Sequence, residues 1–112
     1  MAECLFCKIV AKEIPAAEVH RDETAVAFRD IDPKAPHHLL IVPTQHAANL
    51  SAFIEKAGAL PAGRLLALAS QLGCVSGDGY RVVINEGTDG GQTVEHLHLH
   101  VFAGRRMSWP PG

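Results

Sequence analysis

Histidine and aliphatic residues alternate through His96-Leu97-His98-Leu99-His100-Val101, and this alternation restricts the fold more than any other feature of the chain. A period of two puts successive side chains on opposite faces of an extended strand. Leu97, Leu99 and Val101 therefore form a core face. His96, His98 and His100 fall on the other, with about 7 Å between successive histidine Cα atoms at the usual rise. A row of three imidazoles is costly as mere packing, because every buried ring nitrogen needs a partner. Near pH 7 an imidazole is both a nucleophile and a proton carrier. It is also a metal ligand, but three ligands from one strand converge awkwardly on a tetrahedral ion. The strand is expected over 94–102, lining a site.

The turn before it sharpens that expectation. Glu86-Gly87-Thr88-Asp89-Gly90-Gly91 is glycine-rich, so its backbone N–H groups can come close to an anion. Thr93 adds a hydroxyl and Asn85 an amide. A nucleophile attacking phosphorus needs such donors, because charge moves onto the phosphoryl oxygens as it attacks. A glycine-rich loop alone is more often just a turn; directly before three histidines it points to chemistry at phosphorus.

The rest of the chain supplies a scaffold. Residues 5–12 read as a short helix or turn ending before Ile14-Pro15. Strands are expected over 18–20, 25–29 and 37–42, the last stopped by Pro43, and another over 80–85. Asp30-Ile31-Asp32-Pro33-Lys34-Ala35-Pro36 is loop, since its prolines and aspartates do not fit a central strand. Leu65, Leu68, Ala69 and Leu72 fall on one stripe of a helix over 60–72, the one long helix expected. This order implies an α+β fold with a mainly antiparallel sheet, as one domain over 1–112.

Composition excludes some functions. With 112 residues and a net charge of -2, the chain lacks the basic surplus of a general nucleic-acid binder. No apolar run is long enough to span a membrane, and Met1-Ala2-Glu3-Cys4 does not open a secretory leader. A cytoplasmic protein is expected. In that compartment Cys4 and Cys7, at C-x-x-C spacing, read as a metal or redox pair rather than a disulfide. As a metal site the pair needs two more ligands, and a thioredoxin-like redox pair should follow a strand. Cys74 is expected to be a small buried apolar residue, and His20 and His37 to be surface or structural. Trp109, flanked by proline near the end, is expected to dock on another surface.

The run from Asn85 to Phe102 resembles the histidine triad motif, and Gly104-Arg105-Arg106-Met107-Ser108-Trp109-Pro110-Pro111-Gly112 resembles the tail of its nucleotide-binding branch, the purine nucleoside phosphoramidases. Cys4-Leu5-Phe6-Cys7-Lys8-Ile9, Glu13-Ile14-Pro15-Ala16 and the loop over 30–36 extend the likeness over nearly the whole chain. The resemblance implies a sheet of about five antiparallel strands with one long helix and a short N-terminal helix, continued across a homodimer. It implies that His98 attacks the α-phosphorus of a purine nucleoside phosphoramidate. His100 then contacts the phosphate and helps protonate the leaving amine, with His38 behind in a proton relay. Asn85, Thr93 and the backbone near Val94 would bind phosphate, and Asp30 the ribose hydroxyls. Phe6, Ile9, Phe28, Ile31 and Leu40 would line the base and sugar pocket, and Trp109 would reach the partner's site. In bacterial members with such a cysteine pair, the resemblance implies structural zinc held by Cys4, Cys7, His46 and His96. Thr44-Gln45 and Glu95 depart from the usual pattern and bear on leaving-group preference. The alternatives are a dinucleotide polyphosphate hydrolase or nucleotidyl transferase of the same superfamily, and a non-catalytic nucleotide-binding module.

Overall fold

The computed structural model describes residues 4–112. Five strands, β1 (Glu18–Arg21), β2 (Ala25–Arg29), β3 (His37–Pro43), β4 (Tyr80–Ile84) and β5 (Leu99–Ala103), form one antiparallel sheet in the order β1-β2-β3-β5-β4. Helix α1 (Leu5–Val10) lies before the sheet; α2 (Leu50–Ala57) and α3 (Ala59–Gly73) come between β3 and β4.

The two faces of the sheet have different cores. Odd-numbered positions, Ala25, Ala27, Leu39, Ile41, Leu99 and Val101, pack with Leu97 against Phe53 of α2 and Leu65, Leu68 and Ala69 of α3. On the even face, Val26, Phe28, Leu40 and Val42 pack against Phe6 and Ile9 of α1. Cover on both faces is why β2 and β3 read as continuous apolar runs. Beyond α1 the even face carries His38, His100 and Phe102, with Leu40 opposite His100 and His38 opposite Phe102 in the ladder.

Three local features depart from expectation. The last strand begins at Leu99 rather than at 94. Upstream of it the main chain bonds outside the ladder: the Leu97 N–H donates to the Ala47 carbonyl, and the His96 carbonyl accepts from the His98 ring. Second, α2 precedes the long helix. Its signals were present in Asn49, whose side chain accepts from the Ala52 N–H, and in Gly58 at φ 93. Third, Cys74 is exposed, because it opens a 3-10 turn just past the end of α3. Gly73 is needed just before that turn, since a Cβ there would stand 2.5 Å from a Tyr80 ring carbon. Among the described residues no helix is long and apolar enough to cross a membrane.

Candidate active site and metal centre

The imidazoles lie where β5 and its lead-in run alongside β3. The His98 and His100 ring centroids are 5.1 Å apart, and those of His38 and His100 5.2 Å. Hydrogen bonds to the backbone decide which ring nitrogens carry protons. His98 Nδ1 lies 2.8 Å from the His96 carbonyl oxygen, which only accepts, so Nδ1 carries the proton and Nε2 keeps its lone pair. The Lys34 N–H donates to His38 Nδ1 over 3.0 Å, leaving the proton on Nε2. That Nε2–H donates to His100 Nδ1 over 2.9 Å, so neutral His100 carries its own proton on Nε2. A nucleophilic nitrogen thus stands beside a ring that presents an N–H donor.

Burial favours the neutral form of His38 and His100. Burial is the largest cause holding His100 down to about 4, with His98 and His38 adding to it and Asp30 opposing. His38 is also lowered by burial, against the pull of Asp30, whose Oδ2 lies 3.4 Å from His38 Nε2. An unfolded histidine takes up its proton near 6.5, whereas folded His100 does so only near 4. Between these values the unfolded chain binds more protons, so stability falls as pH drops from about 6.5 towards 4. The urea midpoint of the metal-loaded protein is expected to fall over this window, and to fall less in His100→Asn. An identical pH dependence in the variant would remove His100 as a cause.

The residues expected to bind a nucleotide sit in different settings. Phe6, Ile9, Phe28 and Leu40 share one buried cluster, with Val94 packed against it. Phe6 also meets the His98 ring edge-on at 5.1 Å. Asp30 is half-buried; its Oδ1 accepts from the Asp32 N–H at 2.8 Å, leaving further acceptor capacity on the carboxylate. Ile31 is 100% exposed and Trp109 81% exposed, so neither is packed against the cluster within this chain. Thr93 is exposed, and Asn85 Nδ2 donates to the Gly90 carbonyl across the glycine-rich turn.

Sequence reasoning missed Gln92. Its Nε2 donates to the Ala48 and Val94 carbonyls at 2.6 and 3.0 Å, and its Oε1 accepts from the Gly87 N–H at 3.1 Å. One side chain therefore ties the turn to the loop after β3. Nothing in local sequence marks such a tie, because all three partners are backbone atoms.

Cys4, Cys7, His46 and His96 form a second cluster, each offering one donor atom within 4.8 Å of the others. The His46 and His96 Nδ1 atoms are 3.1 Å apart, and the four sulfur-to-nitrogen distances run from 3.3 to 3.7 Å. Tetrahedral bonds of about 2.0–2.3 Å to nitrogen and sulfur require donor separations of about 3.3–3.8 Å; the four sulfur-to-nitrogen distances fit such an ion, and the nitrogen-to-nitrogen distance lies just below that range. His96 Nε2 donates to the Pro43 carbonyl at 3.1 Å, which leaves its Nδ1 lone pair free to ligate a metal ion. His96 is fully buried, and burial lowers it to about 4, keeping the ring neutral. The first triad histidine thus turns away from its two companions.

The chain, with a sheet of this order and these rings on the face that α1 partly covers, belongs to the HIT family, whose domain matches residues 11–107. An uncharacterised HIT-like protein of Synechococcus elongatus is 47% identical, covering 98% of this chain and 97% of its own. A 14 kDa zinc-binding protein of Zea mays is 46% identical, covering 96% of this chain and 87% of its own. The crystal structure of a HIT family hydrolase from Legionella pneumophila superposes with a TM-score of 0.90 at 46% identity, covering 98% of this chain and 100% of that one. A histidine triad protein from Clostridium difficile gives 0.88 at 37% identity, with 96% of each chain covered.

Proposed function

We propose that this chain is a nucleotide hydrolase that cleaves the P–N bond of purine nucleoside 5′-phosphoramidates, releasing AMP or GMP and an amine. One observation carries the reading: His98 Nε2 keeps its lone pair because Nδ1 donates to the His96 carbonyl, and it does so beside His100. The family includes proteins described as hydrolases, which agrees with this chemistry.

In the first half-reaction His98 Nε2 bonds to phosphorus and the P–N bond breaks, its electron pair going to nitrogen. The anionic substrate favours uptake of a proton by the His38–His100 pair beside Asp30, and His100 Nε2 passes that proton to the leaving amine. The phosphorylated ring keeps its Nδ1–H on the His96 carbonyl. In the second half-reaction water attacks phosphorus, the bond to Nε2 breaks, and the water proton leaves through His100. Asn85, Thr93 and the backbone near Val94 hold the phosphoryl oxygens, and Asp30 accepts from the ribose hydroxyls. Phe6, Ile9, Phe28, Ile31 and Leu40 surround base and sugar.

The ion of the second cluster is zinc, supported by the tetrahedral spacing of two thiols and two imidazoles and by a zinc-binding relative. When bound it supplies a cross-link rather than chemistry, because four protein ligands leave no open position. The chain forms a homodimer whose sheet continues through β4. That edge strand carries exposed Tyr80, whereas β1 at the other edge carries a bulge and the Glu18–Arg21 ion pair. Trp109 then reaches the partner's site, and sedimentation showing only monomer would refute the dimer.

The test of the activity is incubation with adenosine 5′-monophosphoramidate. AMP should be released, and rapid acid quench should trap an adenylyl group on His98, read by mass spectrometry. No AMP and no adduct from adenosine or guanosine phosphoramidates would overturn the proposal.

A further inference from the structure

A groove of about 340 Å³ opens beside His100, lined at one end by Asn85 and His100 and further along by Arg81, Phe102, Arg105 and Met107. Its arginine side continues into a second cavity of about 300 Å³. The groove follows the ring row away from His98: His98 to His100 is 5.1 Å, and His100 to Phe102 is 5.6 Å with the planes only 6° apart. Arg81 lies opposite Phe102 in the β4–β5 ladder.

The two arginines of this groove direct their hydrogen bonds to the main chain. Arg81 Nη2 donates to the Ser108 carbonyl at 3.0 Å; Arg105 donates from Nε to the Lys34 carbonyl at 2.7 Å and from Nη1 to the Arg106 carbonyl at 3.2 Å. Among the described residues neither arginine forms an ion pair. Lys34, also on the groove wall, is paired with Asp32 at 2.7 Å. Two guanidinium groups are thus oriented by main-chain carbonyls, with N–H donors to spare; Asp78 lines the second cavity with them but is not within ion-pair distance of either. Such a fork matches an oxyanion.

Its position says which part of a substrate it meets. In-line displacement at phosphorus puts the attacking and leaving atoms on opposite sides. With His98 attacking from one end of the ring row, the leaving group departs past His100 towards Phe102. Base and sugar lie on the other side, against Phe6 and Phe28. We infer that Arg81 and Arg105 form a leaving-group subsite, and that the preferred substrates are phosphoramidates whose amine carries a carboxylate or phosphate. The inference rests on the proposed attack by His98. Two residues along a strand cover about 7 Å, so a spacer of two to three carbons lets that oxyanion reach the arginines.

The experiment uses three adenosine 5′-phosphoramidates, those of propylamine, β-alanine and aminoethyl phosphate. Dissociation constants are measured by calorimetry on His98→Asn protein, and kcat/KM on the chain with His98 intact. The two anionic conjugates should bind and react about tenfold better than the propyl conjugate, and added salt should shrink that ratio. In the double variant Arg81→Gln, Arg105→Gln the ratio should fall towards one. A ratio of one before substitution, or a ratio that survives the double variant, overturns the subsite. So does an equal loss for all three conjugates, which would assign the arginines to the shared α-phosphate. A preference for only one anionic end identifies the oxyanion and sustains the subsite. If no conjugate is hydrolysed yet the binding ratio holds, the proposed reaction fails and the subsite stands.

Discussion

His98→Asn is expected to lower turnover of adenosine 5′-phosphoramidates by about 10⁴-fold or more while the protein stays folded. The asparagine amide can still donate to the His96 carbonyl, as His98 Nδ1 does at 2.8 Å, so the local backbone keeps its bond. What disappears is the lone pair on Nε2, and with it the covalent intermediate. The loss should fall on kcat, with substrate binding largely kept, because the α-phosphate is held by other groups. Circular dichroism and the urea midpoint report folding, and the mass of the quenched protein reports the adduct. A rate within tenfold of the unsubstituted chain would remove His98 as nucleophile. A smaller deficit is expected for His38→Asn, which leaves the nucleophile but breaks the 2.9 Å bond that sets the His100 tautomer.

Removing the metal is expected to have the largest effect on stability. The four ligands join α1, the loop after β3 and the lead-in to β5, segments separated by 39 to 92 residues along the chain. An ion binding only the folded chain stabilises it by about 4 kcal/mol when its free concentration is a thousand times the dissociation constant. For a domain of this size each kcal/mol shifts Tm by about 4–8 °C, so chelation should lower Tm on the order of 15–30 °C. Protein purified without added metal should carry one zinc per chain, and Cys4→Ser or Cys7→Ser should lose it. Burial and the neighbouring Cys4 thiol raise Cys7 above its ordinary value, so metal binding has to displace thiol protons, and affinity should weaken as pH falls. A chain that purifies without zinc, and whose Tm ignores chelation, would refute the site.

How much could be read beforehand differs from element to element. Strands β2 and β3 were legible because runs such as Ala25–Arg29 are apolar on both faces, and α3 because its leucines repeat at helical spacing. Helix α2 was missed although Asn49 and Gly58 mark its ends; eight residues carry a weak periodic signal. Cys74 was misplaced because burial of one cysteine depends on where α3 ends, and periodicity locates helix ends poorly.

The alternation His96-Leu97-His98-Leu99-His100 determined by itself that three imidazoles would share a surface backed by an apolar core, since side-chain period is a local property of the chain. Local sequence could not determine that the strand begins only at Leu99, or that its lead-in bends to bond the Ala47 carbonyl. Tertiary structure alone assigned the protons: the His96 carbonyl takes the one on His98, the Lys34 N–H fixes His38, and the Pro43 carbonyl turns His96 towards the cysteines. These partners are backbone atoms, and one of them, the Pro43 carbonyl, is 53 residues from the ring it orients. Residue type therefore announced the chemistry, and the folded backbone decided which nitrogen can perform it.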